Sequence, residues 1–407
     1  MQEAFLFMHL VFFDHPLIRN QLKPFTFTRP VAQIRIGIST ISEKWNRWIG
    51  QSQHTPDRSY LTEAYLSALF PLKPPGSDSL YLVNGALLPN QPLVNSLLLL
   101  QEGEALEKDG QLLIAHATQA QFNQYRESQP YSGVFQCMEY DQPVKLLTRP
   151  WHITQWNPEE IVSDLSVIGP YEEADSLTDQ HTIIYSPENL FVGTDVQARA
   201  ALINAENGPV YIGAGAVLSE GCIIQGPAAI GSLAKVNPGA KIRSGTTIGP
   251  YCKAGGEISR SVMFSNSNKS HDGFIGDAVL GEWCNLGADT NGSNLKNNYS
   301  TIKMYNHHTR SVESTGQQFC GLMMGDHSKA GINTMFNTGT MVDVCANISG
   351  GNFPDKHIPS FTWNATTGER FDLDKALDMM RRVMNRRNVE LTDAMTAVMQ
   401  YLYRHSE

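Results

Sequence analysis

No two cysteines in this sequence sit close enough to act together. The six (Cys137, Cys222, Cys252, Cys284, Cys320 and Cys345) form no Cys-x-x-Cys pair and no Cys/His zinc spacing, so neither a disulfide framework nor a zinc site is expected. Reduced thiols in a cytoplasmic protein are the expectation. Basic charge is also scarce: 31 Lys and Arg against 40 Asp and Glu leave a net charge of −9. A protein that neutralises nucleic-acid phosphates needs a basic stripe, so no nucleic-acid partner is expected. Any anionic ligand has to be gripped locally. No apolar run is long enough to span a bilayer, and no membrane partner is expected. The apolar stretch Ala4 to Phe13 lacks a basic flank and runs into Asp14-His15-Pro16. That pattern predicts a first buried strand rather than a secretory leader.

What the sequence does contain is a period of six. Ile212, Leu218, Ile224, Ile230, Val236, Ile242 and Ile248 recur without a miss, and glycine follows every third member at Gly213, Gly231 and Gly249. Six residues fit neither the helical nor the strand period, but three hexapeptides make one turn of a triangular parallel β-helix. Each apolar residue points into the prism, and small residues turn the corners. The period returns at Met324, Ala330, Phe336, Val342 and Ile348, and locally at Leu280 and Leu286.

Four regions follow from these patterns. Residues 1–145 read as a small α/β domain, with strands at His9 to Phe13 and Leu80 to Val83 and helices at Ile38 to Trp48, capped by Ser39 or Thr40, and at Gln91 to Leu100. Residues 50–60 and 71–79 read as polar or Pro/Gly-rich loops. Residues 146–185, with a charged helical segment at Pro158 to Asp164, form a connector. The β-helix occupies 186–353, interrupted by a polar, aperiodic excursion at 288–318 of the kind that tends to carry function. Residues 354–407 form a C-terminal helical segment, with apolar stripes Leu373, Leu377, Met380, Met384 and Leu391, Ala394, Val398, Leu402.

Several blocks carry a resemblance. Leu22-Lys23-Pro24-Phe25-Thr26-Phe27-Thr28-Arg29-Pro30 and Ile34-Arg35-Ile36-Gly37 resemble a hallmark of a divergent, sugar nucleotidyltransferase-like branch of the GlmU-like family. That family comprises the bifunctional UDP-N-acetylglucosamine diphosphorylases / glucosamine-1-phosphate N-acetyltransferases. The stretch Ser270-His271-Asp272-Gly273-Phe274-Ile275-Gly276-Asp277, with Leu286-Gly287-Ala288-Asp289-Thr290, resembles the acetyltransferase block of the same family. The resemblance implies a nucleotidyltransferase-like α/β domain before a left-handed parallel β-helix. It also implies a homotrimer, acetyl-CoA as acyl donor, and Mg²⁺ in the first domain. It makes His271 the candidate general base, which suits a side chain that accepts a proton near neutrality. Asn291, Asn294, Lys296 and Asn298 become the sugar-contacting residues, since amides serve hydroxyls and a lysine meets a phosphate as a point charge. Ala288, Gly331 and Asn333 become the acetyl-CoA channel. Arg381, Arg382, Arg386 and Arg387 read mainly as a solvated helix face within reach of a CoA phosphate.

Departures from the family pattern are informative. Asn237-Pro238-Gly239 stands where better-known members have Arg-Pro-Gly, and Gly255 where they have a sugar-phosphate lysine. Both weaken glucosamine 1-phosphate as the acceptor and leave another amino-sugar phosphate or a nucleotide sugar. The first domain lacks the Gly-x-Gly-Thr-Arg loop that cradles a triphosphate. Thr26, Thr28, Arg29 and Arg35 are the expected substitutes for gripping phosphates. Asn84 stands at the strand end where the family has its metal aspartate, Asn157 resembles the second metal ligand, and Asp14 is a substitute for the first. Three functions compete: acyl-CoA-dependent N-acetylation in sugar-nucleotide metabolism, nucleotidyl transfer with a purely oligomerising β-helix, and a noncatalytic sugar-nucleotide-binding protein.

Overall fold

The computed structural model describes residues 8–50, 56–73, 79–127, 133–169, 177, 179–364 and 367–406. The start of the Ala4 to Phe13 stretch, most of the 71–79 loop and part of the connector lie outside the described residues. The chain divides into two compact units, and the division does not follow chain order: Asn20–Thr28 and Arg35–Ile38 belong with Arg149–Glu407, and the rest with the N-terminal unit.

The N-terminal unit is built on a six-stranded mixed sheet. Its order is Asp57–Leu61, Met8–Phe13, Ser79–Asn84, Gln111–Ala117, Glu104–Lys108, Gln136–Glu139. The first three strands run parallel, and Gln111–Ala117 is antiparallel to both of its neighbours. Val11, Phe13, Leu82, Ala115 and Phe122 pack one core. Helix Ile41–Ile49 starts at Thr40, whose hydroxyl accepts from the Glu43 N–H while Glu43 accepts from the Thr40 N–H, a reciprocal capping box. The loop expected over 50–60 proves to contain the edge strand Asp57–Leu61, whose polar face hid it from a hydrophobic pattern.

In the second unit the chain winds as a triangular parallel β-helix. Its three faces are sheets of nine, ten and eight strands, each strand pairing with the one a coil later except Glu369–Arg370, which ends the ten-stranded sheet antiparallel to Thr362–Trp363. Ile212 pairs with Ile230 and Ile230 with Ile248, which realises the eighteen-residue repeat. All seven residues of the first periodic run are fully buried. Coil strands begin at Ile183–Tyr185 and reach Thr362–Trp363, so the coils extend beyond both expected limits. The excursion begins later than expected, because Asn291–Gly292 is itself a coil strand. The intervening chain forms the hairpin Lys303–Asn306 and Ser311–Ser314 before the coil resumes at Met323–Met324.

The connector helix is longer than its charged stretch suggested. It runs His152–Ile168 with Pro158 inside it, and Ile161 and Leu165 pack with Ile38, Tyr211 and Ala229 against the coils. Helices Leu373–Asn385 and Asp393–His405 follow the coils and bury both predicted stripes at Leu377, Met380 and Met384, and at Val398 and Leu402.

Candidate functional site

The turns that leave the ten-stranded face form one edge of the prism. His271, Ala288, Gly331 and Asn333 all lie on that edge, in successive coils. The Asn333 N–H donates to the Ala288 carbonyl at 2.8 Å, and the Asp289 N–H to the Asp272 carbonyl at 3.0 Å, so neighbouring turns are tied together. His271 is exposed, and its imidazole makes no hydrogen bond to any described residue. A ring so placed is open to a ligand or a second chain.

What holds this turn comes from inside the prism. Lys269 occupies the inner column, opposite Ala254 of the preceding coil, and is 1% exposed. Its Nζ donates to the His271 carbonyl at 2.6 Å and to the Gly255 carbonyl at 3.1 Å. Removal from water pulls the ammonium down to about 8, against the attraction of Asp272 and Asp289. From outside, the Asn237 amide donates to the Ser270 carbonyl at 2.8 Å. It reaches across Gly255, where a Cβ would sit 2.2 Å from that same carbonyl oxygen. The two departures from the family pattern are therefore one arrangement: asparagine replaces arginine and spans the space that glycine leaves. Neither Asn237 nor Lys269 was singled out as functional from sequence.

The expected sugar-contacting residues divide into two pairs. Asn291 accepts from the Phe274 N–H at 2.8 Å and donates to the Asp289 carbonyl at 3.0 Å. Asn294 donates to Asp277 at 2.6 Å, and Asp277 also receives Arg260 at 2.9 Å. These amides brace the coil beside His271, with most of their hydrogen-bonding capacity engaged within the chain. Lys296 donates to the Thr301 carbonyl at 2.7 Å, and Asn298 accepts from the Ser300 N–H, both on the exposed excursion.

The expected phosphate and metal groups are used otherwise. Both oxygens of Asp14 are taken, one by the Val31 N–H at 2.9 Å and the other by Arg19 at 2.8 Å and Thr62 at 2.5 Å. Burial raises its carboxyl above the ordinary range, against the pull of Arg19. Asn84 donates to the Leu112 carbonyl and accepts from the Ala86 N–H. Asn157 is fully buried in the other unit, receiving the Gly37 N–H at 2.7 Å and donating to Gly245 and Thr247. None of the three carries a carboxylate oxygen free for a hard cation, so the residues present do not fit the expected Mg²⁺ site.

Thr26 and Arg29 are buried, Thr28 donates to Asp326 at 2.6 Å, and Arg35 donates to the Ile38 carbonyl. Phe25 packs on Phe264 with ring centroids 5.5 Å apart. Much of the hallmark block is thus buried and engaged within the chain. One group unforeseen in the sequence brings metal-capable atoms together: His307, Asp343 and His357, within 4.8 Å of one another. Both imidazoles lie 2.9 Å from the oxygens of buried Asp343, whose carboxyl is held down at about 2, burial notwithstanding, by the two histidines.

Residues 10–170 match the sugar nucleotidyl transferase family. Their last part is the helix packed on the coils. The chain is 30% identical over 133 residues to the bifunctional protein GlmU of Methanocaldococcus jannaschii, covering 33% of this chain and 31% of that protein. It is 25% identical over 183 residues to the GlmU of Bartonella quintana, covering 43% and 36%. The chain thus spans about a third of the length of these curated relatives. Among solved structures, an Arabidopsis UDP-N-acetylglucosamine acyltransferase matches at 14% identity and a TM-score of 0.24, over 55% of this chain and 95% of that one. A Caulobacter crescentus GDP-perosamine N-acetyltransferase matches at 13% identity and a TM-score of 0.14, over 42% and 54%. The chain is thus similar to GlmU proteins over about a third of their length, and its residues 10–170 match the sugar nucleotidyl transferase family.

Proposed function

We propose that this chain is a transferase of sugar-nucleotide metabolism whose β-helix transfers an acetyl group from acetyl-CoA to the amine of an amino-sugar phosphate or nucleotide sugar. The observation that carries the reading is the exposed, unpartnered imidazole of His271 on the same edge as Ala288, Gly331 and Asn333. In this mechanism the amine nitrogen attacks the thioester carbonyl, and His271 takes the amine proton. The tetrahedral oxyanion is stabilised by a backbone N–H of the edge. The attack forms the C–N bond; collapse then re-forms the carbonyl, breaks the C–S bond and releases CoA, whose sulfur takes the proton held by His271. Lys269 and Asn237 position the turn and touch no substrate.

A homotrimer completes the reading, with neighbouring coils closing over an edge that is open in one chain. Ile332, on this edge, is 70% exposed, which suits a contact with another subunit. The N-terminal unit is nucleotidyltransferase-like in family. Because Asp14, Asn84 and Asn157 do not fit Mg²⁺, no nucleotidyl transfer step is derived through it. The setting is cytoplasmic: the six cysteines are free, and burial pushes the Cys252, Cys284 and Cys345 thiols up to about 12. No described helix is long and apolar enough to cross a membrane.

A thiol-release assay over amino-sugar phosphates and UDP-amino sugars tests the reading. Acetyl-CoA-dependent turnover on one of them is expected. Pyrophosphate release without thiol release would favour the nucleotidyl-transfer alternative, and neither signal the noncatalytic binding protein.

A further inference from the structure

The outer side of the ten-stranded face carries a run of cations under a cleft that no described acid lines. Lys235, Lys253, Asn268, Asn285 and Lys329 occupy one outward column, each paired with the next on successive coils. Adjacent strands lie roughly 4.8 Å apart, and like charges directly opposite one another repel. Beyond the column, Arg386 and Arg387 follow helix Leu373–Asn385 and close a cleft of about 750 Å³. Five of the lining residues are Lys or Arg and, among the described residues, none is Asp or Glu. That concentration stands out in a chain of net charge −9.

The cations differ in what they already do. Arg387 is fixed, donating to the Tyr251 carbonyl and to Asn268 at 2.7 Å, and Lys329 donates to the Trp283 and His327 carbonyls. The side chains of Lys235, Lys253 and Arg386 have no hydrogen bond or ion pair among the described residues. The contrast lies in the same helix, where Arg381 and Arg382 both pair with Asp378. Loss of water and the nearby charges of Arg387, Lys235 and Arg386 hold Lys253 below its ordinary value. An acidic protein that stacks uncompensated cations in a walled cleft has a place for a compact anion.

We propose that this cleft binds a polyphosphate-bearing small molecule, its phosphates held between Lys235, Lys253, Arg386 and Arg387. Guanidinium forks match phosphate oxygens, and the ammonium groups act as point charges beside them. Tyr251 and Trp283 lie in the turns that enter the face, His271 in the turns that leave it. The cleft is therefore on the other edge of the face from the acetyl-transfer site, and the proposal stands independently of that reading.

Calorimetric titration of the full chain with inorganic tripolyphosphate, at about 0.1 M salt so that diffuse attraction is screened, tests it. Wild type should bind, and Lys235→Met with Lys253→Met should weaken binding by roughly tenfold or more. The unliganded double variant should melt no lower than wild type, since it loses repulsion and no contact. Arg381→Ala with Arg382→Ala should bind as wild type does. Parallel titrations with UTP and with ADP separate sources: affinity equal to tripolyphosphate identifies the phosphate chain as the recognised group, and tighter binding that also falls in the double variant adds a held base. No binding by wild type, or undiminished binding by the double variant, would overturn the proposal.

Discussion

The proposed base, His271, has no hydrogen-bond partner for its imidazole among the described residues. Its placement depends on the backbone it sits in, which Lys269 holds from within and Asn237 from without. General-base contributions run to about 10²–10⁴ in rate, so His271→Ala should lose at least about 100-fold in kcat. Equilibrium binding of acetyl-CoA should be little changed. Equal turnover by the variant would return His271 to a structural turn role.

Lys269 makes a different prediction. Its folded value of about 8 lies below the ordinary 10.5, so between those pH values the unfolded chain binds more protons than the folded one, and stability rises with pH across that window. Below pH 8 the buried charge opposes folding. Lys269→Met should flatten that rise in chemical denaturation measured from pH 7.5 to 10.5. If Lys269 only filled space, the two profiles would run parallel. Placing the family's lysine back at Gly255 should fail, because any Cβ there meets the Ser270 carbonyl at 2.2 Å. Gly255→Lys should destabilise by about 1–3 kcal/mol or more and disturb His271 with it.

Some of this was legible in the sequence at the scale of single residues. His271 stood out as the candidate base because its flanking block is distinctive. Asn291 and Asn294 lie beside it but brace the coil, because an amide in a polar stretch looks the same whether it serves a sugar or the chain's own backbone. Lys269 was missed for the opposite reason. The inner column is apolar nearly everywhere, but Lys269 reaches it through a shortened coil that pairs it with Ala254, so it falls off the six-residue period and gave no signal.

Among the elements, the coils were the most legible because their chemistry repeats. One apolar residue in six points inward regardless of what surrounds it, and Ile242 or Ile224 is as buried as the period demands. Ile242→Ala should cost about 2–5 kcal/mol, read as a lowered denaturation midpoint with little change in slope. Elements with little burial contrast were harder to see. The sequence Asp57-Arg58-Ser59-Tyr60-Leu61 is an edge strand whose inward Ser59 bonds His9 at 2.8 Å rather than packing apolar surface. Pro158 suggested a helix start, as proline does in a first turn, yet the helix begins six residues earlier and keeps Pro158 inside. The hairpin at 303–314 has no period at all. It is held by side chains brought together from distant coils, His307 of the hairpin turn and His357 meeting on Asp343.

For the whole molecule, the proposed trimer is checked directly by light scattering at micromolar concentration. A stable monomer would leave the edge at His271 uncovered and remove an intersubunit acetyl-transfer site. The expected boundary at residue 186 invites a second test. The unit that contains the coils also contains Asn20–Thr28 and Arg35–Ile38. A fragment starting at 186 would lack Phe25 over Phe264, Thr28 on Asp326 and the Ile161–Leu165 patch against Tyr211. It should expose apolar surface and aggregate, whereas the same coils in the full chain should not.

That early-made block also sets a clock. Thr28 and Asp326 are 298 residues apart, and at about 5–20 residues per second a ribosome needs roughly 15–60 s to travel from one to the other. During that interval Phe25 and its neighbours have been synthesised and the surface that receives them has not. The nascent chain must either carry this apolar strap unburied or shelter it on a chaperone until the coils bearing Phe264 and Asp326 have been made.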